Sequence, residues 1–286
     1  INRAPSFTNM SAPAANPGSN IVFTATASDP DTGGTCDSDQ VKAFFCKAQD
    51  GTPSGCGAGG AWCEAGSLVN SNPTCNYEVP IPTMHGSYNY YPYVFDNHNM
   101  PAGGSIQGTL QTFSVNNVNP TITSVTLNGG STIVLELKGS TTNVTAVSTN
   151  VSDNNGYQDI VNNGSVTAII FRTSKTASCE SNNNNCYQIA SGSCQSSNCS
   201  GVSCTYTCTA TFKYYADPTD ESSTWSADTW SAKMTASDGV GSGSKTGDTP
   251  VELQTNTALG VTQDGIAYST VAPGGDTGDT LSLIHI

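Results

Sequence analysis

Eleven cysteines in two separate clusters constrain this chain more than any other feature. Cys36, Cys46, Cys56, Cys63 and Cys75 form the first cluster. Cys179, Cys186, Cys194, Cys199, Cys204 and Cys208 form the second. None stands in a C-x-x-C pair and the chain has only three His, so the close paired ligands of a zinc site are missing. Disulfides are the expected chemistry, and they place the chain in an oxidising, extracellular or cell-surface compartment. The second cluster is even and leaves its connectivity open, while the first is odd and leaves one thiol free or paired elsewhere.

The rest of the composition agrees with a strand-and-turn protein. Only 11% of the 286 residues are charged, polarity comes from Asn, Ser, Thr and Gly, and there are four Met against 29 Gly. Helices need more Leu, Ala, Glu, Lys and Arg than that. The net charge is −13, and the nine basic residues form no cluster, so no nucleic-acid partner is expected. No apolar run approaches the ~20 residues of a membrane span.

Short apolar alternations divided by Gly, Pro, Asn and Asp recur along the chain. In the first block they predict strands at 6–10, 21–28, 41–48, 62–69, 74–81, 88–95 and 106–115. Asn119-Pro120 then reads as an extended linker. Strands are predicted next at 122–127, 133–137, 144–151, 166–173, 186–190, 205–215, 229–237 and 250–253. The Cys- and Asn-rich stretch 178–203 is expected to be too polar for core. Seven short strands in about 110 residues predict an all-β fold of tandem immunoglobulin-like β-sandwiches with disulfides. Landmarks recur in order: Ser28-Asp29 and Ser152-Asp153 end early strands, Asp96 and Asp238 end late ones, and Tyr88 and Trp230 stand at one spacing before them. The expected domains are 1–117, 118–256 with a Cys-rich insertion, and 257–280 as the start of a truncated third. Residues 281–286, Leu-Ser-Leu-Ile-His-Ile, resemble the translation of a transposase end used in sequencing libraries, and are expected to be a scar.

Val41 to Lys47, Ala61-Trp62-Cys63, Ser71 to Cys75, Tyr90-Tyr91, Asp96-Asn97-His98, Asn185 to Ile189 and Ala216 to Asp220 resemble a known set. That set is the repetitive secreted and surface proteins of uncultured candidate-phyla bacteria, chains of immunoglobulin-like, cadherin-like or polycystic-kidney-disease-like modules. The resemblance implies a Cys where this chain has Phe95, and so an unpaired partner, for which Cys36 is the expected residue.

Ser-Asp-Pro-Asp at 28–31 also looks like the loops of such modules, and the resemblance carries calcium with it. Asp29, Asp31, Asp37 and Asp39 follow the second strand, and Asp96 and Asn97 begin the loop after the sixth. In a sandwich those loops share one end, and calcium takes six to eight oxygens. Asp153, Asn155, Asp159 and Asp238 repeat the arrangement. The metal ligands expected are Asp29, Asp31, Asp96, Asp153 and Asp238. Turn formation by Asp and Asn explains the same residues without a metal.

Catalysis is not expected. His85, His98 and His285 are the only histidines, and no His–Ser or His–Cys spacing stands out. Gly55 to Gly60 spells G-x-G-x-x-G but opens no helix, so it reads as a tethered loop rather than a phosphate cradle. Rings at Trp62, Tyr88, Tyr90, Tyr91, Tyr93, Trp225 and Trp230 offer a platform for a sugar if one strand face is exposed. Taken together, the residues predict a spacer or adhesive module, with a cell-surface glycan or protein as partner. A carbohydrate-binding accessory module is the alternative.

Overall fold

A computed structural model describes residues 2–31, 39–136 and 140–256. Residues 6–115 make one sandwich. Its strands are β1 (Ser6–Ser11), β2 (Asn20–Ser28), β3 (Val41–Cys46), β4 (Ala61–Val69), β5 (Thr74–Glu78), β6 (Gly86–Asp96) and β7 (Gln111–Val115). They form two antiparallel sheets, ordered β1-β2-β5 and β4-β3-β6-β7. β2 alternates cleanly: Ile21, Phe23, Ala25 and Ala27 point inward while the residues between them face out. Phe23 sits at the centre, with its ring 5.0 Å from Phe45, 5.1 Å from Tyr90 and 5.4 Å from Phe113.

The second sandwich repeats the order. β8 (Thr121–Ile122) and β9 (Thr126–Leu127) both pair with β10 (Thr141–Ser152). A short helix α1 (Tyr157–Asn163) leads into β11 (Ser165–Arg172) and β12 (Cys186–Ile189). β13 (Cys194–Ser200), β14 (Ser203–Lys213), β15 (Trp230–Ser237) and β16 (Ser242–Thr246) complete it. The sheets run β13-β14-β10-β8 and β12-β11-β15-β16. Apart from β13, which the second unit adds at the edge beside β14, both units share one Greek-key strand order, that of immunoglobulin-like sandwiches. Fully buried Trp230 anchors this core, 5.0 Å from the Phe212 ring, and its indole N–H reaches the Asp217 carbonyl at 3.0 Å.

Several sequence expectations change: residues 250–253 make only isolated bridges, at Val251 and Leu253, and the strand predicted at 122–127 is split into β8 and β9. Residues 133–136 are not a strand, because Ile133 makes only a single parallel bridge to Leu253, and Leu137 lies outside the described residues. The strand predicted at 106–115 starts at Gln111, since Ile106 to Thr109 closes as a turn. The Cys- and Asn-rich stretch does build core: Cys186, Tyr187, Ile189 and Cys194 are buried there, and β13 is a full edge strand. Its polar residues hid the alternation because an edge strand exposes most of its side chains.

Ten cysteines form five disulfides, Cys46–Cys56, Cys63–Cys75, Cys179–Cys186, Cys194–Cys208 and Cys199–Cys204. Cys63 on β4 and Cys75 on β5 join the two sheets of the first sandwich across its open side. Cys46–Cys56 tethers the glycine-rich loop, in which Gly59 N–H also donates to Asp50 Oδ2. Cys36 and residues 257–286 lie outside the described residues.

Candidate cation sites at the leading end of each sandwich

The residues after β10 carry Asp153 and Asn155, α1 carries Asp159, and Asp238 follows β15. The fold brings one oxygen of each of the three carboxylates within 4.8 Å of the others, and all three residues are at most 1% exposed. Local turn chemistry uses part of the set. Asp153 Oδ1 accepts from Asn155 N–H at 2.7 Å, and Asp238 Oδ1 accepts from Val240 N–H at 2.8 Å and Gly241 N–H at 2.6 Å. Turn formation does not use all of it. Asp153 Oδ2 is buried with no hydrogen-bond partner.

The site lies where the first sandwich meets the second. Asn117 in the linker donates through Nδ2 to Asp238 Oδ2 at 2.9 Å, and its own Oδ1 is buried without a partner. Asn155 Oδ1 accepts from Val118 N–H at 2.7 Å, and its amide donates to the carbonyls of Thr83 and Asn116, both at 3.0 Å. From the same loop of the first sandwich, His85 Nδ1 reaches Asp159 Oδ2 at 2.8 Å. Among the described residues no Lys or Arg pairs with any of the three carboxylates.

Like charges this close repel by roughly 3–4 kcal/mol per pair at an effective dielectric of ~20. Burial, helped by the charges of Asp159 and Asp238, pushes the Asp153 carboxyl up to about 6 against the pull of the Asn155 N–H and His85. At Asp238 burial also raises the pKa, but the hydrogen bonds from Gly241, Asn117 and Val240 outweigh it and hold the group below its ordinary value. Two of the buried oxygens, Asp153 Oδ2 and Asn117 Oδ1, have no partner, while both Asp159 oxygens accept or meet hydrogen bonds, from Asn163 Nδ2 at 2.9 Å and at His85; the donors are all oxygens, the kind a hard cation such as calcium takes.

The first sandwich builds a related site, in which Arg3 Nε also lies 3.7 Å from Asp31 Oδ1. Asp29 is buried, its Oδ1 accepts from Asp31 N–H at 2.8 Å, and its Oδ2 has no partner. Burial raises its pKa. Asp96 Oδ1 accepts from His98 N–H at 2.9 Å and Met100 N–H at 2.7 Å. Asn2 Nδ2 reaches Asp96 Oδ2 at 2.8 Å, and Asn2 Oδ1 and Asn97 Oδ1 are buried without partners. Asp29, Asp31 and Asp39 form one close group, and Asp39, Asp96 and His98 another that shares Asp39.

All five predicted ligands thus lie at the leading ends of the sandwiches: Asp29, Asp31 and Asp96 at the first, joined by Asp39, and Asp153 and Asp238 at the second, joined by Asp159. Asp37 lies outside the described residues. Asn2, Asn117 and His85 were not foreseen as members. The recurrence of Asn-x-x-Pro at 2–5 and 117–120, each just before a sandwich, is the signal that could have found the two asparagines.

The rings expected to offer a platform are mostly consumed by packing. Tyr90 is core, and Trp62 stands edge-on to Tyr77, Tyr88 and Phe113. On the other face of β6, Tyr93 stacks on Phe95 and fits against Gly51 and Gly108, where any Cβ would crowd the ring. The Arg172 guanidinium lies over the Trp225 ring at 4.9 Å. His85 and His98 both face buried aspartates, Asp159 and Asp39, and neither hydrogen-bonds a Ser or Cys among the described residues.

No family model matches the chain, and no curated protein does. Solved structures are matched at low similarity. The Dpr11–DIP-gamma immunoglobulin complex is 9% identical over 88% of this chain and 98% of that one, with a TM-score of 0.35. The Yersinia pseudotuberculosis adhesin InvE is 11% identical over 87% and 60%, with a TM-score of 0.31. Drosophila N-cadherin EC1-3 is 12% identical over 88% and 68%, with a TM-score of 0.25. The sandwich assignment rests on the strand order itself.

Proposed function

We propose that this chain is a spacer or adhesive segment of an extracellular surface protein, in which bound calcium stiffens the joint between successive immunoglobulin-like sandwiches. The observation that carries the reading is Asp153 Oδ2, buried and unpartnered beside two further buried carboxylates at the joint. Asp153, Asp159, Asp238 and the Oδ1 of Asn117 are the residues that would hold the ion. The ion would supply the positive charge that no Lys or Arg provides, and would tie the linker to the second sandwich. Five disulfides support an oxidising location. They would also help a chain with few charges and long polar loops to resist proteases outside the cell.

The test is thermal unfolding of the full chain with and without calcium. The reading expects a clear rise in Tm at millimolar calcium, and no rise in a D153N/D29N variant. Equal melting curves for the unaltered chain at both calcium levels would overturn it.

A further inference from the structure

The chain carries three Asn-Gly pairs, Asn128-Gly129, Asn155-Gly156 and Asn163-Gly164. Such a pair can close on itself, because glycine has no side chain to keep its backbone nitrogen away from the amide carbon before it. The three pairs share one local chemistry, and the fold treats them differently.

Two pairs are locked. The Gly156 N–H donates to the Asp153 carbonyl at 2.9 Å, and the Gly164 N–H donates to the Ile160 carbonyl at 3.1 Å. Their surroundings are full. A Cβ on Gly156 would stand 3.2 Å from Pro82 Cβ, and one on Gly164 would stand 1.7 Å from the Ser237 carbonyl oxygen. The side-chain amides are engaged as well, that of Asn155 by the Thr83 and Asn116 carbonyls and that of Asn163 by Asp159 Oδ1.

The third pair is open. Asn128, Gly129 and Gly130 follow β9 as a tight turn, with φ of 48°, 62° and 79°. The Gly129 N–H has no hydrogen-bond partner among the described residues. Gly129 is exposed, and nothing lies within 4 Å of where its Cβ would be. Asn128 Nδ2 donates to the carbonyls of Ser131 and Thr132 at 3.0 and 3.1 Å, and both bonds face solvent.

We infer that Asn128 is a site of spontaneous deamidation, and that the change unfastens the segment it closes. The Gly129 nitrogen gives its proton to solvent and attacks Asn128 Cγ. The new C–N bond closes a cyclic imide, and Nδ2 leaves as ammonia. Water then adds to one of the two imide carbonyls and breaks its bond to nitrogen, leaving aspartate or, where the main-chain side opens, isoaspartate. Water is the only co-reactant, and no electron is gained or lost. The product carries a carboxylate where the amide stood, and a carboxylate has no hydrogen to give Ser131 and Thr132. Next in the chain is Ile133, whose N–H donates to the Glu252 carbonyl at 2.8 Å and whose carbonyl accepts from the Gln254 N–H at 2.9 Å. Loss of the turn loosens that clasp, while Asn155 and Asn163, beside the buried carboxylates, keep their amides.

The test is peptide mapping by mass spectrometry after incubation of the full chain in warm, mildly alkaline buffer. The expected result is deamidation at Asn128 at least about tenfold faster than at Asn155 and Asn163, since those two pairs must open locally before they react. In denaturant with the disulfides reduced, all three pairs are expected to react at similar rates. Hydrogen exchange of an N128D variant reads the consequence: the amides of Ile133 and Gln254 are expected to exchange several-fold faster than in the unaltered chain, with Gly156 and Gly164 unchanged. Equal rates at the three pairs in the folded chain, a faster reaction at Asn155 or Asn163, or no reaction at Asn128 over the time in which the denatured chain reacts would overturn the assignment of Asn128. The same rank order in denaturant would overturn the fold as its cause. Unchanged exchange at Ile133 and Gln254 in N128D would overturn the unfastening and leave the modification site.

Discussion

Asn117 donates to Asp238 Oδ2 at 2.9 Å, so a residue of the linker is held by the last carboxylate of the second sandwich rather than by the first. The linker is thereby part of the site. Its amide oxygen is left buried and unpaired, as is Asp153 Oδ2 among the same carboxylates, and each such atom costs stability.

That cost gives D153N an unusual signature. Removing one of three crowded buried charges is expected to raise the Tm of the calcium-free chain by several degrees. The same change is expected to abolish most of the calcium-dependent gain from the second site. For the unaltered chain, calcium at ~100 times its Kd is worth about 2.7 kcal/mol. Melting curves in chelator and in calcium read both effects.

The pH dependence of the calcium-free chain follows from the same group. Asp153 holds its proton more tightly folded than unfolded, with a folded pKa of about 6 against 3.8. Its contribution is therefore complete below about pH 4 and is lost as pH rises through about 6, to the extent of about 3 kcal/mol. Asp29, also raised, acts in the same direction. Asp238 is lowered and acts oppositely, its stabilisation being present above pH ~4 and lost below it. Urea unfolding in chelator is expected to show a stability decline between about pH 4 and 7. Saturating calcium is expected to abolish that decline, because the ion favours the ionised form.

Much of this arrangement was legible in the sequence, and for a physical reason. Strands with one buried face alternate, so Ile21 to Ala27 in β2 and the apolar residues of β14 announced themselves, and Asp and Asn marked the turns that end them. What escaped was held by partners rather than by pattern. β16, Ser242–Thr246, has no large apolar residue and exists because β15 pairs with it. Helix α1 is one short amphipathic stretch closing a loop, too brief to show a period. His85 could not be placed at Asp159 because the two are 74 residues apart and meet only across the joint.

Asn155 is the hinge pin of that joint, with hydrogen bonds to Val118, Thr83 and Asn116. N155A leaves the Val118 N–H and two carbonyls without it, at about 1–3 kcal/mol for a buried group. Limited proteolysis is expected to cut between Asn116 and Pro120 several-fold faster in N155A than in the unaltered chain, with the two sandwich cores otherwise intact.

The disulfides are expected to differ in worth by the loops they close. Cys63–Cys75 spans 12 residues and joins two sheets, whereas Cys199–Cys204 spans 5 within one hairpin. Replacing the first pair with Ser is expected to cost about 2–4 kcal/mol, and replacing the second distinctly less. Chemical denaturation of the two double variants gives the comparison.

In the cores, W230A is expected to cost about 3–5 kcal/mol, since it removes a fully buried ring and leaves the Asp217 carbonyl without its donor. The more exposed Trp62 is expected to cost less when changed to Ala. Equal losses at the two positions in a denaturation series would contradict the assignment of Trp230 as the anchor.

Calcium binding by the buried carboxylates at the leading ends is what the proposal requires. Calorimetric titration of the full chain with calcium chloride at pH 7.5 tests it most directly. The expected result is saturable binding at least as tight as the 10⁻⁴–10⁻³ M of extracellular calcium modules, reduced in D153N and abolished in D153N/D29N. No binding heat up to about 10 mM calcium, or binding unchanged in the double variant, would contradict it.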